Sequence, residues 1–247
     1  MILASMTPKE LFDNLDRDSK KVMIRIDKIY PKAVKFFKRS SAFPAWFMDE
    51  YKIPSTNNQY IIFFYASKRD EAEKPRYRSF CIVFFGAHRF VIRGMRMGYK
   101  HTPQSEFIML PQIHVFTSHF LQRYKERFLC EENLTTNEIA GLFLVRNPKV
   151  VPIQINEEVN RNYKNHGENS GIGMRVPDGF CFTQTALEGQ MSEDGNRNND
   201  IVGTMIIVYT TFMKESEMSD TQRAAVNKEH LETLKHCAEV LSSEKSK

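Results

Sequence analysis

Contiguous and alternating apolar residues occupy the middle of the chain and predict a β-sheet. Four segments are rich in aromatic and β-branched residues and are bounded by Gly, Pro or polar turns, which predicts strands at 59–66, 77–86, 89–97 and 105–116. The connections between them are short, and FFGAHRF indicates a hairpin turn between the second and third strands. The pattern therefore predicts an antiparallel β meander over residues 56–116.

Helix-start signals precede this meander. TPKE at residues 7–10 has the spacing of a capping box, with a proline at the first helical position. A helical stretch over residues 19–39 meets Pro31, which should kink or break it. FPAWFMDEYKIPSTNNQ then mixes prolines, aromatics and polar residues, and we interpret it as an aromatic-anchored connection. The sequence thus predicts a helical N-terminal region over residues 1–55.

A second set of helices and strands follows the meander. FTSHFLQRYKERF, at residues 116–128, predicts a helix that begins at Thr117 or Ser118, and a short helix follows from about Asn137 to Val145. Further strands are predicted at about 150–155, 172–176, 179–184 and 203–212. Residues 117–214 are therefore predicted to form a helix–helix–strands unit.

The C-terminal region, residues 215–247, is predicted to be an amphipathic helix that begins near Ser219. Its narrow apolar stripe consists of Val226, Leu231, Leu234, Ala238 and Leu241. This stripe can pack on the rest of the chain or on a partner. The predicted fold class is α+β, with one or more antiparallel sheets packed against helices, and the four regions can all belong to one domain.

Composition limits the class of protein. With 41% hydrophobic and 12% aromatic residues the chain is expected to fold. No apolar run approaches the roughly 18 residues that cross a bilayer, and no signal-peptide pattern is present. The four cysteines form no C-x-x-C pair, which is typical of free thiols in a reducing compartment. We therefore expect a cytoplasmic protein with no membrane span, no metal site and no cofactor.

The net charge of +5 is unevenly distributed and indicates a polyanionic partner. Basic residues are concentrated in 17–39 and in 68–100, where they are interleaved with aromatic residues. Nucleic acid is the commonest cytoplasmic polyanion, and the candidate nucleic-acid-binding residues are Lys35, Lys38, Arg39, Arg76, Arg78, Arg89, Arg93, Arg96 and Lys214. Binding of this kind predicts that the arginines of 76–100 form one continuous flat patch. The alternative is that both basic regions are ordinary solvated faces.

The segment 116–128 combines a packing face with a basic face. At 100° per residue, one sector of the helix holds Phe120, Leu121, Tyr124 and Phe128. The adjoining sector holds His119, Arg123 and Arg127. A histidine can act as a general base, and two arginines can hold a phosphate. The alternative is that His119 caps or packs at the strand–helix junction and that the arginines pair with carboxylates.

This segment also carries a resemblance to a known family. H-x-x-x-R-x-x-x-R at a helix start, followed by TTNEIAGLFL, NPKVV and strands ending in IIVYTTF, resembles the order of elements in the RelE-like and BrnT-like toxin superfamily. The resemblance covers residues 114–214. Its matching residues are His119, Arg123, Arg127, Arg175, Gly179 and Thr211. Two departures are Phe120, where the related small domains have alanine, and the lack of a glycine after the helix.

The resemblance implies an antiparallel sheet packed on helices and the chemistry of metal-independent ribonucleases. In that chemistry His119 would remove the ribose 2′-OH proton, Arg123 and Arg127 would hold the phosphate, and Arg175 or Lys214 would support it. The sequence therefore predicts an RNA-binding protein and leaves open whether it cleaves RNA. The alternative is a non-catalytic binding or assembly protein of phage or mobile-element type, whose basic faces or residues 219–241 dock a partner or a second copy.

Overall fold

The computed structural model of the protein describes residues 1–99, 107–154, 172–189 and 203–245. The helices of these residues are α1 (Pro8–Arg39), α2 (Ser118–Tyr124), α3 (Thr136–Arg146) and α4 (Asp220–Lys245). The strands are β1 (Ala45–Lys52), β2 (Gln59–Ala66), β3 (Arg76–Phe84), β4 (His88–Tyr99), β5 (Phe107–Thr117), β6 (Val151–Gln154), β7 (Ile172–Val176), β8 (Gly179–Gly189) and β9 (Gly203–Met213). The α+β class is confirmed. Among the described helices, none has both the length and the apolar character needed to span a membrane.

The strands of the described residues form one sheet in the order β1-β2-β3-β4-β5-β9-β8-β7-β6. The predicted meander is the β2 to β5 part of this sheet, and the helix–helix–strands unit continues it from β5. All neighbouring pairs are antiparallel except β5 and β9, which are parallel. A parallel pair is possible because β5 and β9 are joined by a long connection through α2, α3 and three strands rather than by a hairpin.

Both faces of the sheet are covered by helices, and strand alternation decides which side chains point to each face. The face that packs on α2 and α3 buries Ile61, Phe63, Phe80, Phe90, Phe116, Ile207 and Tyr209. The face that packs on α1 buries Tyr60, Ile62, Phe64, Cys81, Val83, Val91, Ile113 and Val115. The beginning of α4 also packs on this second face, against Ile153, Phe180 and Phe182.

The sequence predicted that Pro31 would kink or break the helix, and helix α1 is continuous through this proline, so the helix is not broken there. The capping box is confirmed, since Thr7 accepts from the Glu10 amide and Glu10 accepts from the Thr7 amide. Pro31 removes one backbone hydrogen bond, the one that would reach the carbonyl of Asp27. Both residues are exposed, so water can bind that carbonyl, while buried neighbours such as Ile29 hold the helix on the sheet.

A buried carboxylate fixes α1 to the β1–β2 turn. Asp18 is fully buried and accepts hydrogen bonds from Thr56, from the Asn58 amide at 2.6 Å and from the Tyr60 hydroxyl at 3.2 Å. Buried carboxylates are tolerated when several donors satisfy them. This network fixes the position of α1 along the sheet, and therefore the position of its outer surface.

Residues 45–52, interpreted from sequence as a connection, form strand β1 at one edge of the sheet. This prediction is wrong because the prolines at 44 and 54 lie outside the strand and mark its ends, while its side chains alternate between the two faces. Trp46 and Met48 pack on the α2/α3 face, whereas Phe47 and Tyr51 pack on the α1 face. The indole Nε1 of Trp46 donates to Glu138 of α3 at 3.0 Å.

Helix α2 begins as predicted and ends in a widened turn. The Thr117 hydroxyl accepts from the Phe120 amide at 3.0 Å and donates to the Tyr209 carbonyl at 3.0 Å, which identifies Thr117 as the cap. Lys125–Leu129 continues the helix as a π turn, closed by a bond from the Cys130 amide to the Lys125 carbonyl. Cys130 has a φ of 55°, the left-handed conformation in which glycine commonly ends a helix.

Candidate nucleic-acid interface

The outer surface of the last three turns of α1 carries a stripe of basic side chains. Lys28, Lys32, Lys35 and Arg39 are spaced four, three and four residues apart, so they lie on one side of the helix. We call these four residues the α1 basic stripe. All four are exposed, and none makes an ion pair with the described part of the chain. The opposite side of α1 is buried against the sheet.

A shallow depression lies at the carboxyl end of this stripe. It is lined by Lys32, Lys35, Phe36, Arg39, Ser40 and Ser41. A second depression adjoins it through Phe36 and continues along Ser40, Ser41, Ala42, Pro44, Ala45 and Trp46. None of these lining residues is acidic, so an anion bound in the first depression would meet three cations and no carboxylate in its lining.

Phe36 lies in both depressions and is 41% exposed. Its ring is held by two aromatic neighbours. The Phe37 ring lies 5.3 Å away at 79°, and the Phe47 ring of β1 lies 5.6 Å away at 45°. Edge-to-face and tilted contacts of this kind hold a ring in one orientation. An apolar ring is therefore presented to solvent beside three cationic side chains.

Lys38, predicted as a nucleic-acid contact with Lys35 and Arg39, has a different environment. Its Nζ lies 2.8 Å from a carboxylate oxygen of Glu73, and both side chains are exposed. The hydrogen bond from Lys38 lowers the pKa of the Glu73 carboxyl. Lys38 therefore has a carboxylate partner, whereas Lys35 and Arg39 face the depression.

The predicted arginine patch of strands β3 and β4 is divided between the two faces of the sheet. Arg78 lies opposite Phe63 on β2, which places it on the α2/α3 face, while Arg89 lies opposite Val83, on the α1 face. The expectation of one continuous flat patch is therefore wrong. The physical reason is that side chains alternate between the two faces along each strand and share the face of their cross-strand partner, which is Phe63 for Arg78 and Val83 for Arg89.

The individual arginines of this group also have local partners. Arg76 lies 3.5 Å from Glu71, donates to the Val145 carbonyl at 3.4 Å and sits over the Tyr65 ring. Arg93 shares the face of Arg89, and there it pairs with Asp16 of α1. Arg78 and Arg89 bond to neighbouring backbone carbonyls. The side chain of Arg96 lies outside the described part of the chain.

The basic face of α2 is brought against carboxylates and carbonyls. Arg123 lies 3.1 Å from Glu126. The amide of Gln122 and, to a smaller extent, Arg123 lower the pKa of that carboxyl. Arg127 donates to the Phe212 carbonyl at 2.6 Å and lies 3.7 Å from Glu217. The arginines that were predicted to hold a phosphate therefore already have acceptors.

His119 and Arg175 complete the predicted catalytic group. His119 is exposed in the first turn of α2, and no hydrogen bond joins its ring to the described residues. Arg175, on β7, donates to the Asn227 side chain at 2.6 Å and lies 3.7 Å from Glu215. Arg175 and Arg127 thus meet the same short turn, Glu215–Glu217, through its two glutamates.

A polar network that the sequence did not predict lies beside this group. Asp178, in the β7–β8 turn, binds Arg146 of α3 and the Tyr124 hydroxyl. Arg146 also lies over the Phe128 ring, with 4.9 Å from its guanidinium carbon to the ring centroid. Lys214 lies over the same ring at 5.8 Å. The predicted contact residue Lys214 is thus placed on an aromatic ring between α2 and β9.

The C-terminal helix is only partly packed. The Ser219 hydroxyl accepts from the Gln222 amide, and the Gln222 side chain accepts from the Ser219 amide, so the predicted cap is confirmed. Val226 is buried against β6 and β8, whereas Leu231 is 56% exposed. The side chains of Leu234, Ala238 and Leu241, the rest of the predicted stripe, lie outside the described part of the chain.

Two further observations bear on the function of these surfaces, namely the search for a metal site among the described residues and the comparison with known proteins. Within residues 1–99, 107–154, 172–189 and 203–245, no three His, Cys, Asp or Glu side chains converge in a way that could hold a metal ion. Comparison of the chain with protein-family models, with curated proteins and with solved structures found no match in any of the three. Within the described part of residues 114–214, the predicted helices and strands are present in the predicted order, while the resemblance to the toxin superfamily stays a prediction.

Three members of the candidate interface were not among the residues predicted from the sequence. Lys28 and Lys32 belong to the same stripe as Lys35 and Arg39, and the acid-free run 28–39 with its three- and four-residue spacing was the signal that could have identified them. Phe36 could not be found in this way. Its ring packs against Phe47, which belongs to a strand that the sequence pattern did not predict.

Proposed function

We propose that this protein binds RNA through the α1 basic stripe and the adjoining depression. The observation that supports this proposal is the lining of the depression, where Lys32, Lys35 and Arg39 meet without a carboxylate and without an ion pair to a described residue. Clustered, unpaired cations of this kind attract the phosphate backbone of nucleic acid. The overall net charge of +5 acts in the same direction.

The helix end itself does not cancel this attraction. The carboxyl end of a helix carries the equivalent of about half a negative charge, which is screened within the last turn. The α1 basic stripe contributes four positive charges over the last three turns, and Lys35 and Arg39 lie nearest the helix end. The local potential is therefore positive, and the basic side chains are stabilised by the helix end that they cover.

Binding rather than cleavage is proposed. A phosphate clamp on α2 would need arginines that are available to the ligand, and Arg123 and Arg127 each have a glutamate within 4 Å. Arg175 has Asn227 and Glu215 as partners. We propose the cytoplasm as the place of action, because RNA is accessible there and because Cys81, Cys130 and Cys181 are free thiols.

The proposal is tested by titrating a fluorescein-labelled RNA with the protein at several salt concentrations and following anisotropy. We expect log Kd to depend linearly on log salt concentration, and we expect Lys35→Ala/Arg39→Ala to weaken binding and to reduce the slope by about 1.4, or about 0.7 for each lost phosphate contact. A matched control is Lys9→Ala/Arg223→Ala. It removes the same two residue types and the same charge, but from positions paired with Asp13 and Asp220.

The control separates a local interface from a general effect of charge. If both double variants lose affinity equally, the positive charge of the whole protein attracts RNA and the α1 surface has no special role. If the wild-type protein shows no binding even at low salt, the proposal is refuted.

Assembly through the C-terminal helix is the second candidate, and the exposure of Leu231 on α4 favours it. Under this hypothesis residues 219–241 bind a protein partner or a second copy of the chain. Light scattering with size-exclusion chromatography tests self-association. A dimer that Leu231→Ser converts to a monomer would support this candidate, and a wild-type monomer at high concentration would exclude the second copy.

A further inference from the structure

We infer that the RNA bound by this surface is single-stranded at the site, and that one of its bases stacks on Phe36. The inference rests on the proposed function and goes further by naming the form of the ligand. The α1 basic stripe alone would bind any polyanion. Phe36 adds an exposed aromatic ring in the middle of the cationic lining, which a phosphate backbone alone does not require.

The combination of rings and cations is the chemistry by which single strands are bound. Every base has a π face, and an aromatic side chain can cover it only when the base is not already stacked between its neighbours. In a duplex both faces of each base are occupied, so the protein meets base edges and phosphates. An exposed ring surrounded by cations therefore favours an unpaired base over a duplex.

The Phe36 ring is prepared for this contact before any ligand arrives. Phe37 is fully buried and contacts Phe36 edge to face at 5.3 Å, while Phe47 contacts it from β1 at 5.6 Å. Because these neighbours restrict the ring, little side-chain entropy would be lost when a base covers its free surface. The 41% exposure leaves part of the ring available to solvent.

The cations are placed where a backbone leaving the stacked base would pass. Lys32 and Lys35 precede Phe36 in the chain and Arg39 follows it, and all three line the same depression. At a rise of about 1.5 Å per residue, Lys32 and Arg39 are separated by about 10 Å along the helix axis. The guanidinium of Arg39 can bind two phosphate oxygens at once, whereas the lysines act as point charges.

The second depression indicates the direction in which the strand would continue. It leads from Phe36 past Ser40 and Ser41 to Pro44 and Trp46 and contains no charged residue. Apolar and hydroxyl-bearing residues of this kind suit a further base or ribose more than a phosphate. Trp46 is the only tryptophan of the chain, so its fluorescence reports on ligands that reach this depression.

The test compares a fluorescein-labelled oligouridylate with a blunt RNA duplex of the same length. It uses the full-length protein and the variants Phe36→Ala, Phe36→Leu and Phe36→Tyr. We expect the wild-type protein to prefer the single strand, with a change in Trp46 fluorescence on binding. Phe36→Ala and Phe36→Leu should bind the single strand about tenfold more weakly with an unchanged salt slope, because stacking is lost and phosphate contacts are kept. Phe36→Tyr, which keeps an aromatic ring, should retain affinity.

Two controls make the result specific. Phe84→Ala removes another exposed phenylalanine, 63% exposed at the end of β3, and should bind like the wild-type protein. Thermal unfolding of each variant shows whether the fold is kept. If Phe36→Ala does not fold, Phe36→Leu takes its place in the test, because leucine preserves most of the apolar volume. Affinity for the duplex should be the same for all Phe36 variants.

Several outcomes would overturn the inference. Equal binding of the single strand by wild-type protein and Phe36→Leu, while Lys35→Ala/Arg39→Ala has lost affinity, would show that charge alone holds the RNA and would leave the proposed function intact. A preference for the duplex would likewise refute the inference that the bound RNA is single-stranded and would leave the proposed function intact. The protein is also titrated with vesicles that contain phosphatidylserine. Binding to these vesicles and to neither RNA would identify an anionic lipid surface as the ligand and would refute both the RNA-binding function and the stacking of a base on Phe36.

Discussion

Arg146 donates hydrogen bonds to both carboxylate oxygens of Asp178, from Nε to Oδ2 at 2.9 Å and from Nη2 to Oδ1 at 3.1 Å. The same carboxylate accepts from the Tyr124 hydroxyl at 2.6 Å and from the Asn147 amide at 3.1 Å. Its side chain is only 8% exposed. Asp178 therefore joins α2, α3 and the β7–β8 turn through one buried charge.

Replacing Asp178 with alanine should destabilise the protein by about 3 kcal/mol, because the donors of Arg146, Tyr124 and Asn147 lose their common acceptor and a partly buried cation loses its partner. Urea unfolding followed by far-UV circular dichroism measures the change. Asp13→Ala is the control, since Asp13 forms an exposed pair with Lys9 and should change stability by less than about 1 kcal/mol. Similar stability of the two variants would show that the Asp178 network contributes little.

Much of the fold could be predicted because its signals are local. The strand predicted at 59–66 is Gln59–Ala66, and the capping pattern at Thr7 starts α1. Predictions failed where long-range packing overrides a local signal. Strand β1 was missed because its flanking prolines suggested a connection. A kink or a break at Pro31 was expected because the sequence does not show how firmly α1 is held on the sheet.

Pro31 should therefore lower the free energy of unfolding, and the packing of α1 on the sheet compensates for this loss. Replacing it with alanine restores a backbone donor at an exposed position, and we expect the protein to be stabilised by about 2 kcal/mol, somewhat less than the full helix propensity difference because proline also restricts the unfolded chain. The urea midpoint should rise with an unchanged m-value. Lys20→Ala, at another exposed position of α1, should change stability by no more than about 0.5 kcal/mol. An equal or lower midpoint for Pro31→Ala would contradict this account.

The candidate site could be predicted only in part, and the reason is again sequence distance. Pairing of Arg123 with Glu126 is local and was foreseen as an alternative. Pairing of Arg127 with Glu217 joins α2 to the turn after β9, and no pattern in the sequence indicates it. The arginines of β3 and β4 are divided between the two faces of the sheet according to the strand register. The alternation of apolar and polar residues predicts this register only when the strand boundaries are already known.

His114 makes the stability of the protein dependent on pH. Its Nδ1 lies 3.0 Å from the Tyr209 hydroxyl at the centre of the sheet, and burial lowers the pKa of this histidine from 6.5 to about 4. The unfolded state therefore binds a proton between these pH values and the folded state does not. Stability is fully present above pH ~6.5 and falls as the pH approaches ~4, by about 3 kcal/mol from this group.

The contribution of His114 is measured by urea unfolding at a series of pH values between about 4 and 7. His114→Gln should be less stable than the wild-type protein near neutral pH, and the difference should shrink as the pH falls because glutamine does not titrate. His119→Gln, at the exposed histidine of α2, should follow the wild-type curve. If the difference in unfolding free energy between His114→Gln and the wild-type protein is constant across this range, then the pKa of His114 is the same in the folded and unfolded states and this prediction is wrong.

The acceptors around α2 lead to a prediction about catalysis. Because Arg127 already donates to the Phe212 carbonyl and lies near Glu217, a phosphate would have to displace protein groups before His119 could act on an adjacent ribose. We expect purified protein to leave labelled RNA intact in EDTA at concentrations where anisotropy shows that the RNA is bound. Gel electrophoresis over several hours measures this, with His119→Ala beside the wild-type protein. Cleavage by both proteins would indicate a contaminating nuclease, whereas cleavage by the wild-type protein alone would show that cleavage requires His119 and would restore the ribonuclease hypothesis.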